Sequence, residues 1–215
     1  TSARAFFDAE SHLLCTFAEI DPFGAREGVE YLGPPGNVNQ GLEVAWQTEG
    51  KPRVLAYLKP GAPRVDAVVA GLQALEAEVV LAYPGEAPER VQSMCRGAVR
   101  AFAKPIEVAP LMAGASLAVF HAGSGFAAQS LVAGVPMALL PTHLEQFLIA
   151  KRAVQAGVGE ISAPDHAAPD FRQWFTGLMS SPELREAARR EAAKHRGHSF
   201  SAAARAAAQR IAALV

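Results

Sequence analysis

One stretch of the sequence, residues 117–159, constrains the fold more strongly than any other. It opens with an apolar run at residues 117–120, breaks at a Gly-Ser-Gly turn, and continues in a helical pattern as far as Gly134. A second apolar run at residues 135–140 and a second helical pattern at residues 144–156 follow. Strand, turn, helix, strand and helix in this order predict a βαβ unit, in which a helix joins two parallel strands.

The turn at Gly123-Ser124-Gly125 predicts an anion site. Glycines let a backbone turn sharply and approach a ligand closely, and the helix that follows directs N–H groups and its positive end at the same point. A phosphate is the ligand that such a turn favours. His121 lies just before the turn, at the end of a strand, where open α/β folds bind ligands. We therefore expect its imidazole to donate to a phosphate oxygen, and to bind better when protonated.

The rest of the chain from residue 53 repeats the same alternation of apolar runs and helical patterns. The predicted strands lie at residues 54–58, 79–83, 98–102, 117–120, 135–140 and 159–162. Strands that are apolar almost from end to end indicate a sheet covered on both faces. The fold class predicted is α/β, a Rossmann-like doubly wound parallel sheet of roughly six strands with helices on both faces. A helical tail follows, with a helix start predicted at Ser181-Pro182-Glu183.

The residues before this alternation have a different character. Two short strand candidates lie at residues 13–17 and 30–32. Gly33-Pro34-Pro35-Gly36 then ends regular structure. We interpret residues 33–52 as a linker in which Trp46 is the one anchoring aromatic side chain.

Composition excludes several classes of partner. A net charge of −1 over 215 residues provides no electrostatic case for nucleic acid or a membrane surface. No apolar run reaches the roughly 18 residues that a membrane span needs. Cys15 and Cys95 are far apart and not in metal-ligand spacing, which fits the reducing cytoplasm. His195 and His198 lack a third ligand, so we expect no metal site and interpret both as solvated histidines at a helix end.

Two other interpretations of the glycine turn are disfavoured by its position. Gly123, Gly125 and Ala128 satisfy the loose dinucleotide pattern G-x-G-x-x-[GA], but a dinucleotide fold places this turn after its first strand rather than its fourth. The acidic ribose partner expected after the next strand is also missing, so no nicotinamide or flavin cofactor is expected. The pattern G-x-S-x-G of a nucleophile elbow is not met, so Ser124 is not a candidate nucleophile.

The residues from 121 to 159 resemble the donor-binding signature of GT-B glycosyltransferases. The similarity is to UDP-glycosyltransferase-like enzymes, including the bacterial macrolide-type family, and it is carried by a His, a Gly-rich turn, G-V-P, a strand ending in Pro, an acid-Gln pair and G-x-G. The matching residues are His121, Gly123, Gly125, Gly134-Val135-Pro136, Pro141, Glu145-Gln146, Ala150 and Gly157-Val158-Gly159.

This resemblance implies the C-terminal, nucleotide-sugar-binding half of a GT-B fold. The donor would be a nucleoside-diphosphate sugar of the UDP or TDP type, and neither a metal nor another cofactor is implied. The resemblance implies diphosphate binding by His121, Gly123, Ser124, Gly125, Phe126 and, from the facing Lys59-Pro60-Gly61 loop, Gly61. It implies ribose binding by Gln129, sugar binding by Glu145 and Gln146, and base binding by Phe102 and Ile106.

The sequence departs from the family pattern at three of these places. Phe126 stands where the family has Ser or Thr, so a hydroxyl contact to phosphate is lost. Gln129 replaces the acid that grips the ribose, and an amide binds a hydroxyl less strongly than a carboxylate does. Ala103 and Ile106 replace aromatic and polar residues around the base.

The resemblance also implies a division of the chain. Residues 1–52 would be the trailing end of an N-terminal acceptor domain plus a linker, residues 53–198 the donor-binding domain, and residues 199–215 a C-terminal helix. The catalytic base would lie in the missing acceptor domain, so we expect this chain alone to bind a nucleotide sugar without transferring it. The alternatives are a non-catalytic or partner-dependent nucleotide-sugar-binding subunit, and a nucleotide-sugar epimerase, which would need more carboxylates than Glu145.

Overall fold

A six-stranded parallel sheet forms the centre of the protein. The computed structural model describes residues 12–36, 41–162 and 167–214. The strands are β1 (Arg53–Tyr57), β2 (Glu78–Ala82), β3 (Val99–Phe102), β4 (Leu117–Phe120), β5 (Met137–Leu139) and β6 (Gly159–Ile161). Their order is β3-β2-β1-β4-β5-β6, and all neighbours run parallel. This is a doubly wound Rossmann-like sheet, so the predicted fold class is confirmed.

Helices connect the strands and cover both faces of the sheet. They are α1 (Val65–Gln73), α2 (Pro88–Ser93), α3 (Val108–Met112), α4 (Ser124–Ala133), α5 (Leu144–Gln155), α6 (Phe171–Ser180), α7 (Pro182–Lys194) and α8 (Phe200–Ala212). The chain winds outward from β1 to β3, returns to β4 beside β1, and then winds outward in the other direction. The crevice beyond the carboxyl ends of β1 and β4 is therefore the switch point at which open α/β sheets bind ligands.

The sheet separates two hydrophobic cores. Along β4, Ala118 and Phe120 belong to the core beneath α3, α4, α5 and α7, whereas Leu117 and Val119 belong to the core beneath α1, α2 and α6. All four side chains are at most 2 % exposed. Burial on both faces explains why the strands are apolar throughout rather than alternating with polar residues.

The two strands predicted before β1 do not form. Leu14 and Tyr31 make one isolated parallel bridge, and Ala18–Ile20 is a short 3-10 helix. This segment pairs with neither edge strand of the sheet. It is held instead by side chains, because Phe17 and Ile20 are buried in the core beside α4 and α5. The prediction of strands was wrong because a short apolar run has the same pattern whether it joins a ladder or packs through its side chains.

The predicted linker is described at residues 33–36 and 41–52, and its second part is anchored to the domain at several points. Trp46 donates from its indole nitrogen to the carbonyl oxygen of Leu111 at 3.1 Å. Glu78, at the start of β2, accepts from the backbone N–H groups of Gln47 and Thr48 at 2.8 Å each and from the Thr48 hydroxyl at 2.6 Å. Its carboxylate also pairs with Arg100 at 2.7 Å. Glu78 is thus a second anchor that sequence reasoning missed.

The C-terminal helices begin at capping side chains. Asp170, Ser181 and Ser199 each accept a backbone hydrogen bond at the start of α6, α7 and α8. The helix start predicted at Ser181-Pro182-Glu183 is therefore confirmed. Within the described ranges, none of the helices has the length and apolar character that crossing a bilayer requires.

The histidines between α7 and α8 are packed rather than solvated, contrary to the prediction. The rings of His195 and His198 lie 4.0 and 4.8 Å from the ring of Phe17. His195 also faces the carboxylate of Glu19 at 3.2 Å. The side chains that cover them come from the segment before β1, which lies more than a hundred residues away along the chain, so the local pattern did not reveal this contact.

Candidate functional site

Three loops meet at the carboxyl edge of the sheet around the switch point. The Lys59-Pro60-Gly61 loop follows β1, the His121 turn follows β4, and the loop that leads to Gln146 follows β5. Tyr57 and Phe120, the last residues of β1 and β4, are partners in the parallel register. The topology therefore brings together residues that the sequence separates by more than sixty positions.

A cavity of about 200 Å³ lies between these loops. The described residues that line this cavity are Tyr57, Lys59, Phe120, His121, Gly123, Phe126 and Gln146. Four of these residues are predicted site residues. The other predicted residues do not line it, namely Gly61, Phe102, Ile106, Ser124, Gly125, Gln129 and Glu145.

The imidazole of His121 connects two backbones across the switch point. Its Nε2 accepts from the Lys59 N–H at 3.1 Å, and its Nδ1 lies 2.8 Å from the Leu140 carbonyl oxygen. An amide N–H can only donate and a carbonyl oxygen can only accept, so these partners assign the neutral tautomer with the proton on Nδ1. Burial holds the pKa of His121 below its ordinary value, and the nearby charge of Lys59 lowers the pKa further. The hydrogen bond to Leu140 acts in the opposite direction but does not outweigh burial.

This arrangement leaves the His121 ring without a spare N–H. To donate to a phosphate oxygen, Nε2 would have to gain a proton and release the Lys59 amide. Direct donation from His121 to a diphosphate stays a prediction, and the structure shows the contact that it would displace.

The chain enters α4 through a strained residue and an open helix start. Ala122 is fully buried and has a φ of 56°, in the left-handed region that costs an L residue about 1–2 kcal/mol. The N-cap of α4 is Gly123, which has no side chain to accept a hydrogen bond. The helices α1, α2, α3 and α5 also begin without a side-chain cap, whereas α6, α7 and α8 are capped by Asp or Ser. The first N–H groups of α4 are therefore available to an anion.

Neither backbone conformation nor packing explains the two glycines of this turn. Gly123 has a φ of −67°, which any residue adopts, and Gly125 is helical. A Cβ atom built on either would meet no heavy atom of the described protein within 4 Å. The space beside the open helix start is therefore left free, which suits a ligand that approaches the backbone closely.

Gln146 is a buried polar group that the described residues satisfy on one side only. It is 4 % exposed, and its Oε1 accepts from the Thr142 N–H and hydroxyl at 2.9 Å each. These two donors fix the orientation of the amide and leave its NH₂ group to donate toward the cavity that it lines. Its neighbour Glu145 is exposed in the first turn of α5.

Aromatic side chains form the apolar wall of the cavity. The Phe126 ring lies 4.7 Å from Phe120 and 5.7 Å from Tyr57. Sequence reasoning identified Phe126 but missed Tyr57 and Phe120. The signal that identifies them is their position as the last residues of β1 and β4, directly before the loops of the switch point.

The residues predicted for the base and the ribose lie away from the cavity. Phe102 ends β3, and Ile106 is 2 % exposed, with its backbone in an isolated bridge to Leu42. Gln129 lies on α4, and its buried Oε1 has no hydrogen-bond partner among the described residues. The roles of these three residues stay predictions.

Several solved structures with the same fold are glycosyltransferases. The calicheamicin glycosyltransferase CalG4 is 24 % identical, with a TM-score of 0.73 over 97 % of this chain and 54 % of that one. The spinosyn rhamnosyltransferase SpnG, complexed with thymidine diphosphate, is 20 % identical, with a TM-score of 0.66 over 87 % and 54 %. The glycosyltransferase VinC, in complex with DTDP, is 21 % identical, with a TM-score of 0.62 over 72 % and 40 %.

The chain thus spans about half the length of these proteins or less. No curated protein sequence is significantly similar to it. Residues 66–209 match the family described as "Erythromycin biosynthesis protein CIII-like, C-terminal domain". The match extends from the first turn of α1 into α8 and includes the glycine turn and Gln146. This chain belongs to the erythromycin biosynthesis protein CIII-like C-terminal domain family, and its fold is that of the C-terminal half of a macrolide-type GT-B glycosyltransferase.

Proposed function

We propose that this chain is the donor-binding half of a glycosyltransferase and holds a nucleoside-diphosphate sugar of the UDP or TDP type. The observation that carries the proposal is the open start of α4, where Gly123 and Gly125 leave free space beside unpaired N–H groups at the switch point. Family membership supports it. Two of the similar structures, VinC and SpnG, are described as complexes with thymidine diphosphate.

In this proposal the diphosphate lies across the start of α4, against the N–H groups of Ser124, Gly125 and Phe126. The loop that carries Gly61 faces it from β1. Negative charge develops on the departing nucleoside diphosphate as the bond between sugar and phosphate breaks. Fixed donors and the positive helix end stabilise that charge more than they stabilise the intact donor.

The remaining contacts of the proposal are to the nucleoside and the sugar. Glu145 accepts from sugar hydroxyls, and the NH₂ group of Gln146 donates to them. Gln129 binds the ribose, while Phe102 and Ile106 flank the base. No metal or organic cofactor takes part in this proposal.

The acceptor and the catalytic base belong, in this proposal, to an N-terminal domain. That domain is either another part of the same protein or a separate partner subunit. Transfer therefore requires the second domain, and the chain alone binds the donor without turnover. Turnover by this chain on addition of an acceptor alone would contradict that part of the proposal.

Calorimetric titration with UDP, TDP and GDP tests the proposal. We expect wild type to bind one of the three, and Gly125→Val to bind it at least tenfold more weakly because the new side chain fills the space beside the helix start. Gly177→Val is the matched control, since Gly177 is also an exposed helical glycine with no heavy atom within 4 Å of a built Cβ. Binding of none of the three, or equal binding by Gly125→Val, would refute the donor site.

A further inference from the structure

The diphosphate site needs positive charge, and His121 does not supply it in this structure. Both ring nitrogens are engaged by backbone groups, and the two partners require a neutral ring. A proton on Nε2 would place two N–H groups against each other and break the bond to Lys59. The other titratable groups that line the cavity in the described ranges are Tyr57 and Lys59, and neither carries a negative charge that would favour a charged imidazole.

Lys59 is the one lysine or arginine among the described residues that line the cavity. Its side chain is exposed, and within the described ranges it forms neither a hydrogen bond nor a salt bridge through its ammonium group. Its backbone, by contrast, is fixed, because its N–H donates to His121 and the preceding Leu58 N–H donates to the Ala82 carbonyl at 3.0 Å. A free ammonium group on a fixed backbone, opposite the open start of α4, is suited to bind a phosphate as a point charge.

We propose that Lys59 is the cationic ligand of the diphosphate and that His121 is a neutral positioning residue that acts through the Lys59 peptide. This inference rests on the proposed function. It changes the role of His121 from a direct ligand of the diphosphate to a residue that positions Lys59. Lys59 lines the same cavity as Phe126, the residue that stands where the family pattern has a hydroxyl.

A double-mutant cycle separates the two roles of His121. We expect Lys59→Met to weaken binding of UDP-glucose or TDP-glucose by about ten- to a hundred-fold, the range for a lost charged hydrogen bond. Lys59→Arg should retain most of the affinity. His121→Ala should weaken binding in the wild-type background and have no further effect in the Lys59→Met background, because it acts through that lysine. Lys51→Met, an exposed lysine at the opposite edge of the sheet, is the matched control.

Two readouts test the neutral ring directly. The affinity for the sugar nucleotide, whose diphosphate does not titrate in this range, should not rise as pH falls from 8 to 6. Nitrogen-15 NMR of the ligand-free protein at pH 6.5 should show a proton on Nδ1 of His121 and none on Nε2.

Several outcomes would overturn this inference while leaving the proposed function intact. The first is that Lys59→Met binds the nucleotide sugar as tightly as wild type. The second is that the losses of affinity caused by Lys59→Met and His121→Ala are additive. The third is that the affinity rises at low pH in wild type but not in His121→Ala. A doubly protonated His121 ring at pH 6.5 would also overturn it. Failure of wild type to bind any nucleotide sugar would instead refute the proposed function itself.

Discussion

The polar groups at the two edges of the sheet differ in how completely the protein hydrogen-bonds them. At the amino edge, the buried carboxylate of Glu78 is surrounded by donors from Gln47, Thr48 and Arg100. At the carboxyl edge, the described residues pair with the amide oxygen of Gln146 but not with its nitrogen, and the first N–H groups of α4 have no capping side chain. The buried carboxylate at the amino edge is satisfied within the protein, whereas Gln146 and the start of α4 at the carboxyl edge keep donors that no described residue pairs.

From this difference we infer a structural site at the amino edge and a candidate binding site at the carboxyl edge. A buried polar group whose hydrogen bonds are made by the protein contributes to stability, whereas leaving the same group unpaired costs about 1–3 kcal/mol. Donors that face an open cavity without a protein partner are free to bind a ligand, which is the use that the proposed function gives them. Hydrogen bonds left to be made, rather than the presence of polar residues, make the carboxyl edge the candidate binding site.

The largest effect is expected from removing the charge at the amino edge. Glu78→Gln leaves Arg100 without its carboxylate and turns an amide NH₂ group toward other donors, so we expect a loss of about 3 kcal/mol in the free energy of unfolding. Urea denaturation measures this loss. Glu76→Gln, two residues earlier and exposed, is the control and should change stability by less than about 0.5 kcal/mol. A loss below about 1 kcal/mol for Glu78→Gln would show that this edge is not stabilised by its saturated carboxylate.

Glycines at the two edges should also respond differently. A Cβ built on Gly159, the first residue of β6, would lie 2.6 Å from the Met137 carbonyl oxygen. We therefore expect Gly159→Ala to lower the free energy of unfolding by about 2–3 kcal/mol. Gly125→Ala should leave it unchanged or raise it by up to about 1 kcal/mol, because alanine favours the helix and meets open space. Equal losses at both positions, measured by thermal or urea unfolding, would contradict the distinction.

The pH dependence of stability provides a third test. Burial alone would raise the pKa of Glu78, but the hydrogen bonds from Thr48, Gln47 and Arg100 lower it to about 2. A carboxylate with a depressed folded-state pKa stabilises the protein above its unfolded value, near 4.5, and this contribution is lost as pH falls toward 2. Between pH 5 and 3, wild type should lose about 1–2 kcal/mol more than Glu78→Gln does. The other carboxylates are common to both proteins, so parallel curves would contradict the prediction.

The smallest effect is expected from an exposed ion pair. Arg190 and Glu186 pair at 3.3 Å on α7, with side chains 63 % and 74 % exposed. Because water screens such a pair, Arg190→Gln should change the free energy of unfolding by no more than about 0.5 kcal/mol. A loss comparable to that of Glu78→Gln would mean that charge pairing itself stabilises this protein, rather than the hydrogen bonds made to a buried carboxylate.

Much of the fold was predictable because its determinants are local. Apolar runs alternating with helical patterns indicate strands buried on both faces, and every predicted strand from residue 54 onward is present, with ends that differ by a few residues. The glycine turn and Ser181-Pro182 mark helix starts through backbone geometry and capping, each within a few residues of sequence. The strands predicted at 13–17 and 30–32 failed because pairing depends on a partner strand, and the sheet offers them none.

What the sequence by itself determined is the parallel sheet, its glycine turn and the family signature around that turn. The roles of the site residues and the division into domains stay predictions. Only the tertiary structure shows that His121 is neutral, because the two backbone groups that bind its ring lie 62 and 19 residues away along the chain. Only the tertiary structure shows that Tyr57 contacts Phe126 in one cavity. It also decided which polar groups are saturated, as at Glu78, whose donors come from positions 22 to 31 residues away. Hydrogen-bond saturation depends on distances in space, and those are set only when the strands assemble.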